Sequence, residues 1–285
     1  MKQRWLLNLG LLTAVALLAW LAYRQPGKDV VAPAAITTLT EAQVNHVEIR
    51  PRGQPAVVLD KHDGGWFMRS PFHVRADPTR VGFVLDFLHA KTSTVFPAVD
   101  KDLPTYDLDN PRVTLILNGQ RFDFGGTNAL SMDRYVRSGK QVFLLFDTSY
   151  PYLAADAASF ADPQLVDPGH HIRAVTIPGL RVTQTNGKLS ATGDSASVSA
   201  DVLARFVEAW RSARADSVHA LDAETQSGGE NVTIEFDNNP SLQLQILQRQ
   251  PDLVLARPAL NLAYHFPAEE AKSLLSLDNA TSSKK

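Results

Sequence analysis

One pattern occurs twice in this chain, first as Val44-x-x-Val47-x-Ile49 and again as Ile172-x-x-Val175-x-Ile177. Each copy is followed by a second apolar stretch and then by a turn dipeptide, Asp63-Gly64 in one case and Asn186-Gly187 in the other. These dipeptides supply the positive φ angles that tight hairpin turns require. Both copies therefore predict a strand that leads into a β-hairpin.

The correspondence continues into one amphipathic helix in each half. Asp77 precedes Pro78, which is a favourable first helical residue, and Ser199 takes the capping position in the second half. Apolar residues then recur at helical spacing. They are Val81, Val84, Leu85 and Leu88 in the first half and Leu203, Phe206, Val207 and Trp210 in the second. Since each helix has one apolar side, each is expected to pack on a sheet.

The strands after the helices also correspond. Residues 113–119 match 232–238, and 122–124 match 242–244, with apolar and polar residues alternating as in antiparallel sheets that have one dry face. Each half ends in a predicted helix, at 150–160 and at 268–277. The sequence thus predicts the α+β class, with two tandem repeats of antiparallel sheet and helices packed on one face. The predicted bounds are 44–167 and 168–278, followed by a disordered tail at 279–285.

The N-terminal segment is apolar. Residues 5–23 contain no charge, and Trp5, Trp20 and Tyr23 lie near the two ends, where aromatic rings prefer the membrane interface. As a helix this segment would be about 28 Å long, close to the hydrocarbon thickness of a bilayer. The competing interpretation is a cleaved signal peptide, for which Ala32-Pro33-Ala34 is a candidate site. The apolar segment is longer than a signal peptide usually requires, which favours an uncleaved transmembrane helix.

This anchor predicts where the body lies. Residues 1–4 form a basic lead, and residues 24–43 read as a linker that contains prolines and a glycine. The excess of positive charge at the N-terminus predicts a cytoplasmic start. We expect a single-pass protein of the inner membrane, with its body in the periplasm or outside the cell.

Composition excludes several classes of function. The formal net charge is -2, so the chain lacks the basic excess typical of nucleic-acid binding. There is no cysteine, which removes disulfides, thiolate metal sites and cysteine nucleophiles. The aspartates at 100–109 have oxygens that suit hard cations, but a solvated loop with capping explains them better. His170 and His171 are neighbours whose side chains point apart in an extended chain, so they cannot easily share a metal. We predict no catalytic residue, no metal and no cofactor.

Several short motifs resemble one family. They are Tyr106-Asp107-Leu108-Asp109-Asn110-Pro111, then Phe124-Gly125-Gly126, then Tyr135-Val136-Arg137. In this order they look like the family called domain of unknown function 4340. The resemblance implies one N-terminal membrane helix and no agreed activity. It also implies a link to transporters of the ATP-binding cassette type, beside which some members are encoded.

The same motifs suggest one candidate binding loop. Its residues are Tyr106, Asp107, Asp109, Gly125, Gly126 and Asn128. The glycines could let a ligand approach the backbone, but a bulge or turn between strands explains them better, because no helix start follows that could hold a phosphate. Asp107 stands where the family often has glycine, which predicts that no special backbone conformation is needed there.

Three functions remain open on the sequence. We expect a non-catalytic interaction or scaffold module, accessory to a membrane complex such as an ABC-type transporter, with a protein partner. The alternative is a protein that binds a small molecule, a glycan or a lipid in the cleft between the repeats. A concave groove with convergent polar groups would favour that alternative, and a flat junction would contradict it. An envelope hydrolase with an unfamiliar site is the third.

Overall fold

The computed structural model describes residues 10–20, 33–92, 94–193, 198–221 and 229–277. Strands of the first half are β1 Ala34–Ala35, β2 His46–Pro51, β3 Val57–His62, β4 Gly65–Ser70, β5 Val74–Arg75, β6 Lys91–Thr92, β7 Val95–Pro97, β8 Val113–Leu117, β9 Gln120–Thr127, β10 Arg134–Ser138 and β11 Gln141–Leu145. Those of the second half are β12 Ile172–Ile177, β13 Leu180–Thr185, β14 Lys188–Gly193, β15 Ser217–Ala220, β16 Glu230–Phe236, β17 Leu242–Gln248, β18 Leu253–Arg257 and β19 Leu262–Phe266.

The α-helices are α1 at residues 10–20, α2 Pro78–Leu85, α3 Tyr150–Leu153, α4 Ala200–Ser212 and α5 Ala268–Leu275. The helix predicted at 150–160 is two short pieces, α3 and a 3-10 helix at Ala157–Phe160. Asp156 separates them because its side chain accepts a hydrogen bond from the backbone N–H of Ala158 and so starts a new helical turn. The helix predicted at 268–277 is present and ends at Leu275.

Two large antiparallel sheets have the same strand order. The first runs β5-β4-β3-β2-β8-β9-β10-β11-β7, and the second runs β14-β13-β12-β16-β17-β18-β19-β15. When the two orders are aligned, β2 corresponds to β12, β8 to β16, and the edge strand β7 to the edge strand β15. Of the described strands in the first half, β5 and the two-stranded sheet of β1 and β6 have no counterpart in the second sheet. A mostly antiparallel α+β fold is therefore confirmed.

The turn chemistry of the repeat is confirmed in detail. Asp63 and Gly64 have φ angles of 47° and 78°, and Asn186 and Gly187 have 52° and 75°. Consecutive left-handed residues are the geometry of a two-residue hairpin turn whose twist matches its strands. Each dipeptide thus sets the register of the hairpin in which it lies.

The two long helices pack on their sheets through the predicted stripes. Val81, Val84 and Leu85 of α2 are buried, as is Leu88, which lies in a 3-10 helix at Asp86–His89 after α2 ends. Leu203, Phe206, Val207 and Trp210 of α4 are buried as well. They join a single apolar core that extends through both halves. Asp77 caps α2 as predicted, because its Oδ1 accepts a hydrogen bond from the N–H of Thr79 at 3.0 Å. Ser199 takes the N-cap position of α4, but its side chain makes no capping hydrogen bond there.

Part of the predicted linker belongs to the folded body. Ala34 and Ala35 pair with Thr92 and Lys91, and Ile36 is buried in the core. Apolar burial of Ile36 and the β1–β6 pairing hold the chain against the first sheet from residue 34 onward.

Some of the sequence predictions concern residues outside the described part of the chain. Trp5 and Tyr23 lie there, as do the lead at 1–4 and the tail at 279–285, while Trp20 lies at the end of α1. Within the described ranges, no helix is long and apolar enough to span a membrane. The transmembrane segment at 5–23 stays a prediction.

Candidate functional site

The segment that joins the two halves is hydrogen-bonded to both. On one side, the N–H of Asp77 donates to Phe160 O at 2.8 Å and the N–H of Asp162 donates to Arg75 O at 2.9 Å. On the other side, the backbone bonds are Leu165 N–H to Ala213 O at 3.1 Å and Ala215 N–H to Pro163 O at 2.9 Å. The junction is therefore built as a small extension of both halves and not as a free tether.

Four charged side chains reinforce this junction. Arg75 Nη2 lies 2.8 Å from Asp162 Oδ2, and these side chains are only 19% and 8% exposed. Arg214 lies two residues after the end of α4. Its guanidinium nitrogens are 3.6 Å from a carboxylate oxygen of Asp77 and 3.6 Å from one of Asp162. An ion pair with little access to water is strongly coupled, because removing one partner leaves the other charge unsolvated. The Arg75–Asp162 pair lies within the first half, and the pairs that cross to the second half are those of Arg214, whose side chain is 51% exposed.

A groove of about 430 Å³ lies along one side of the junction. The first half contributes the β3–β4 hairpin and β5, and the second half contributes the end of β18 and the 3-10 turn after it. Three apolar side chains form part of its lining, Phe67, Val74 and Leu260. We call it the junction groove. It is concave and open to solvent, and it meets the condition that favours binding between the two repeats.

Cationic and titratable side chains surround these apolar residues. They are Arg69, Arg75, Arg257, His62 and His73, with Asp63 and Asp167 as the acidic members. Arg75 is already engaged with Asp162, and Arg257 hydrogen-bonds to the buried Tyr264 hydroxyl. Burial raises the pKa of Tyr264, and Arg257 opposes that shift. The lining thus contains three guanidinium groups and two carboxylates, and Arg69 is also paired with Asp60 and Arg75 with Asp167. Guanidinium groups bind carboxylates and phosphates in a planar, two-bonded geometry.

The polar side chains of this lining are arginines, histidines and aspartates. Among the described residues that line the junction groove there is no Ser, Thr, Cys or Lys side chain. Arg69 lies 3.2 Å from Asp60 and 3.0 Å from the Nε2 of His62, so this imidazole already has a polar neighbour. The structure shows no nucleophile with an adjacent base in this groove.

The candidate loop predicted from the motifs is brought together, but as a packing unit. Tyr106 stacks on Tyr135 with ring centroids 4.6 Å apart, and Asn128 Nδ2 donates to the Tyr135 hydroxyl at 2.7 Å. Gly125 and Gly126 oppose Tyr135 in a β-bulge of β9, which confirms the bulge interpretation. Asp109 is exposed and makes none of these contacts.

The expectation for Asp107 is wrong. Its backbone is left-handed, with φ 57° and ψ 35°, which is the conformation that glycine adopts without strain. Aspartate is one of the few other residues that tolerate it. Arg112 and Arg52 hydrogen-bond to its carboxylate and lower its pKa. The side chain and its two arginine partners thus hold this left-handed turn.

A further cavity of about 560 Å³ lies on the face of the second sheet that turns away from the core. Leu221, Val254 and Ala263 line it, together with the imidazoles of His219 and His265, whose ring centroids are 4.9 Å apart. Burial is the main cause that lowers the pKa of His265 below 6.5, and His219 adds to it while Asp252 opposes it. The fold therefore favours the neutral form of His265.

This shift predicts a pH dependence. The pKa of His265 is lower in the folded protein than in the unfolded chain. The contribution of His265 to stability is therefore present above the pKa of the unfolded chain. It is lost as the pH falls through and below that unfolded-chain pKa. We expect His265→Gln to lessen the decline in unfolding free energy between about pH 7.5 and about pH 5. Chemical unfolding at a series of pH values measures it. Parallel curves for the variant and the unchanged protein would contradict this prediction.

Metal binding finds no support in the described part of the chain. No three His, Asp or Glu side chains there are grouped so that they could hold an ion. His170 stacks against Phe236 at 5.1 Å between ring centroids, and Asp107 of the acidic cluster is paired with arginines. These residues have structural neighbours that account for their positions.

The sequence could not reveal the junction groove. Arg69 and Arg257 are far apart in the chain, and each lies in a strand that reads as ordinary alternation. Only the packing of the second half against β5 brings them to one surface. The only feature of the local sequence that pointed to this region was the Asp63-Gly64 turn. It predicts the β3–β4 hairpin but not the part of the second half that packs beside it.

Fold and site together define a class: an α+β protein of two similar sheets with a cationic groove at their junction. The sequence model described as Domain of unknown function (DUF4340) matches residues 66–227, which is more than half of the 285 residues. The chain belongs to this family. No curated protein and no solved structure matches it.

Proposed function

We propose that this protein is a non-catalytic interaction module that binds a partner in the junction groove and is held at a membrane by its N-terminal segment. The observation that supports it best is the junction groove itself, to which both halves contribute arginines around an apolar lining. The matching strand order of the two sheets leads us to propose further that the halves arose by duplication. The junction groove would then exist only where the two copies pack together, and neither copy would form it alone.

The lining indicates the chemistry of the partner. Guanidinium groups at the rim and Phe67, Val74 and Leu260 below them suit an extended segment with acidic and apolar side chains. The groove is open along one side, so a segment of a larger protein can enter it without being enclosed. In line with the apolar run at 5–23, we place this partner in a membrane complex, with an ABC-type transporter as one candidate.

A photo-crosslinking residue at His73 tests the proposal in the full chain. His73 is exposed and lines the junction groove, so replacing it leaves the core intact. We expect one defined membrane protein to be captured, and capture to fall about tenfold when Arg69→Glu reverses a charge at the same rim. The matched control is Arg249→Glu, since Arg249 is also an exposed, ion-paired arginine, paired with Glu230.

Two outcomes would contradict this proposal. One is the absence of any defined adduct from position 73. The other is equal loss of capture in Arg69→Glu and Arg249→Glu, because that would place the effect outside the groove. The partner pulled down in detergent should be the same protein that is crosslinked.

A small anionic molecule is the second candidate for the same groove. The volume of about 430 Å³ lies in the range of small-molecule sites, and Arg69 and Arg257 could contact one anionic group. Native mass spectrometry of the purified chain distinguishes the two. A bound small molecule that is present in the unchanged protein and lost in Arg69→Glu would favour this candidate.

A further inference from the structure

The three most exposed of the large apolar side chains described in the folded body lie at one end of the first sheet. Leu130 is 96% exposed, Met132 71% and Phe146 80%. Leu130 and Met132 lie in the loop between β9 and β10, and Phe146 directly follows β11. Because Arg134 pairs with Leu145, the next residues on the two strands lie side by side at this end. We call these three residues the apolar tip.

The loop that presents the tip is held in shape by Asn128. Its Oδ1 accepts hydrogen bonds from the N–H groups of Leu130 and Ser131, at 2.9 and 3.1 Å. Its backbone accepts from the N–H of Met132 at 2.9 Å and donates to Asp133 O at 2.7 Å. A loop closed in this way keeps its apolar side chains outward, whereas an unbonded loop could fold them onto the body.

Hydrogen bonds also fix the backbone next to Phe146, through the residue that follows it, Asp147. The side chain of Asp147 is 3% exposed and lies 3.1 Å from Arg134 Nε. Its Oδ1 accepts from the N–H groups of Ser149 and Tyr150, at 2.9 and 3.1 Å. Arg134 also donates to Gly125 O at 2.8 Å, so the ends of β9, β10 and β11 are tied together. The tip is thus a preformed surface.

The chain enters the body beside this tip. Ala34 of β1 pairs with Thr92, and Thr92 Oγ1 donates to the carbonyl oxygen of Leu144 at 2.5 Å. The N–H of Leu144 donates to Thr94 O at 3.1 Å, which places the entry point two residues along β11 from Phe146. The apolar segment at 5–23 ends only about ten residues before this point, a length that spans at most about 40 Å.

We propose that the apolar tip inserts into the surface of the bilayer that holds the N-terminal segment, and so orients the body on the membrane. This inference rests on the membrane attachment proposed above. Three apolar side chains give a weak contact on their own, but a short tether keeps the tip at a high effective concentration beside the lipid. Insertion would also fix the direction in which the junction groove faces.

The absence of cysteine makes a direct test simple. A single Ser131→Cys change places a thiol between Leu130 and Met132 without removing an apolar side chain, and Lys140→Cys places one at the opposite end of β10 and β11. Each full-length variant is labelled with an environment-sensitive fluorophore and reconstituted in vesicles of neutral and anionic phospholipids. Some of the lipids bear a nitroxide near the top of the acyl chain.

We expect the label at position 131 to shift to the blue and to be quenched by the nitroxide at least about twofold, as for groups about 5–10 Å below the headgroups. The label at position 140 should stay water-like. Replacing all three tip residues by serine in the Ser131→Cys chain should abolish the quenching. Their high exposure means that this change removes no core contact.

Three results would overturn the inference. Equal behaviour of the labels at 131 and 140 in vesicles means that the tip stays in water. A blue shift at 131 without nitroxide quenching means that a protein surface, such as a second copy of the chain, covers the tip. Failure of the full chain to float with the vesicles removes the attachment on which the inference rests, and it does so separately from the label data.

Discussion

Gly125→Ala is expected to destabilise the protein by about 3 kcal/mol, the upper part of the range for overpacking a close contact. A Cβ at this position would lie 2.2 Å from the carbonyl oxygen of Tyr106 and 3.0 Å from two side-chain carbons of Leu108. The oxygen belongs to the backbone of a turn that Asp107 and its arginines hold in place, so it cannot move aside cheaply. Chemical unfolding monitored by far-UV circular dichroism measures the effect.

The next residue provides the control. At Gly126 an added Cβ would meet its nearest neighbours at 3.7 Å, which is ordinary contact distance. Gly126→Ala should therefore change the free energy of unfolding by less than about 1 kcal/mol in either direction. If both variants have the same free energy of unfolding, the close contact between the Tyr106 turn and β9 is contradicted.

Asp123→Ala is expected to lower the free energy of unfolding by about 2–3 kcal/mol, because a buried carboxylate and its hydrogen bonds are lost. The Asp123 side chain is 2% exposed. It accepts hydrogen bonds from Thr114 Oγ1, Arg121 Nε and Arg137 Nη2 at 2.7, 2.8 and 2.9 Å. Its loss would leave the buried hydroxyl of Thr114 without this partner and two guanidiniums without their carboxylate.

An exposed aspartate gives the comparison for that variant. Asp109 lies at the surface, so Asp109→Ala should change stability by no more than about 0.5 kcal/mol. Both variants remove one negative charge, and the difference between them isolates the buried cluster. Equal effects would mean that net charge, and not the contacts of Asp123, determines the result.

The sequence predicted what is local. Turn dipeptides such as Asn186-Gly187 and the apolar stripe of α4 depend on residues a few positions apart, and both are found as expected. The repeat also predicted that corresponding elements follow in the same order along the two halves, whereas the pairing of β2 with β8 and of β12 with β16 was not predicted. What could not be predicted depends on contacts between distant residues: the pairing of Ala34 with Thr92, and the approach of Arg257 to Arg69.

The candidate loop shows that a motif can be located from the sequence while its contacts cannot. Tyr106, Gly125 and Asn128 do lie together, yet their contacts are with each other and with Tyr135. For Asp107, the departure from glycine suggested an ordinary backbone, whereas its arginine partners make the left-handed turn acceptable. Arg52 and Arg112 form no recognisable sequence pattern with Asp107, so the sequence did not indicate these ion pairs.

The strand order has a practical consequence for anyone who expresses a part of this protein. The range that matches the family, 66–227, begins inside β4 and ends before β16. A fragment cut to that range would remove β3 from beside β4, β2 from beside β8, and four neighbouring strands from the second sheet. It would leave unpaired strand edges and half of each core open to water, so it should aggregate. The unit that can fold alone is set by the sheets, which begin and end well beyond the most recognisable stretch.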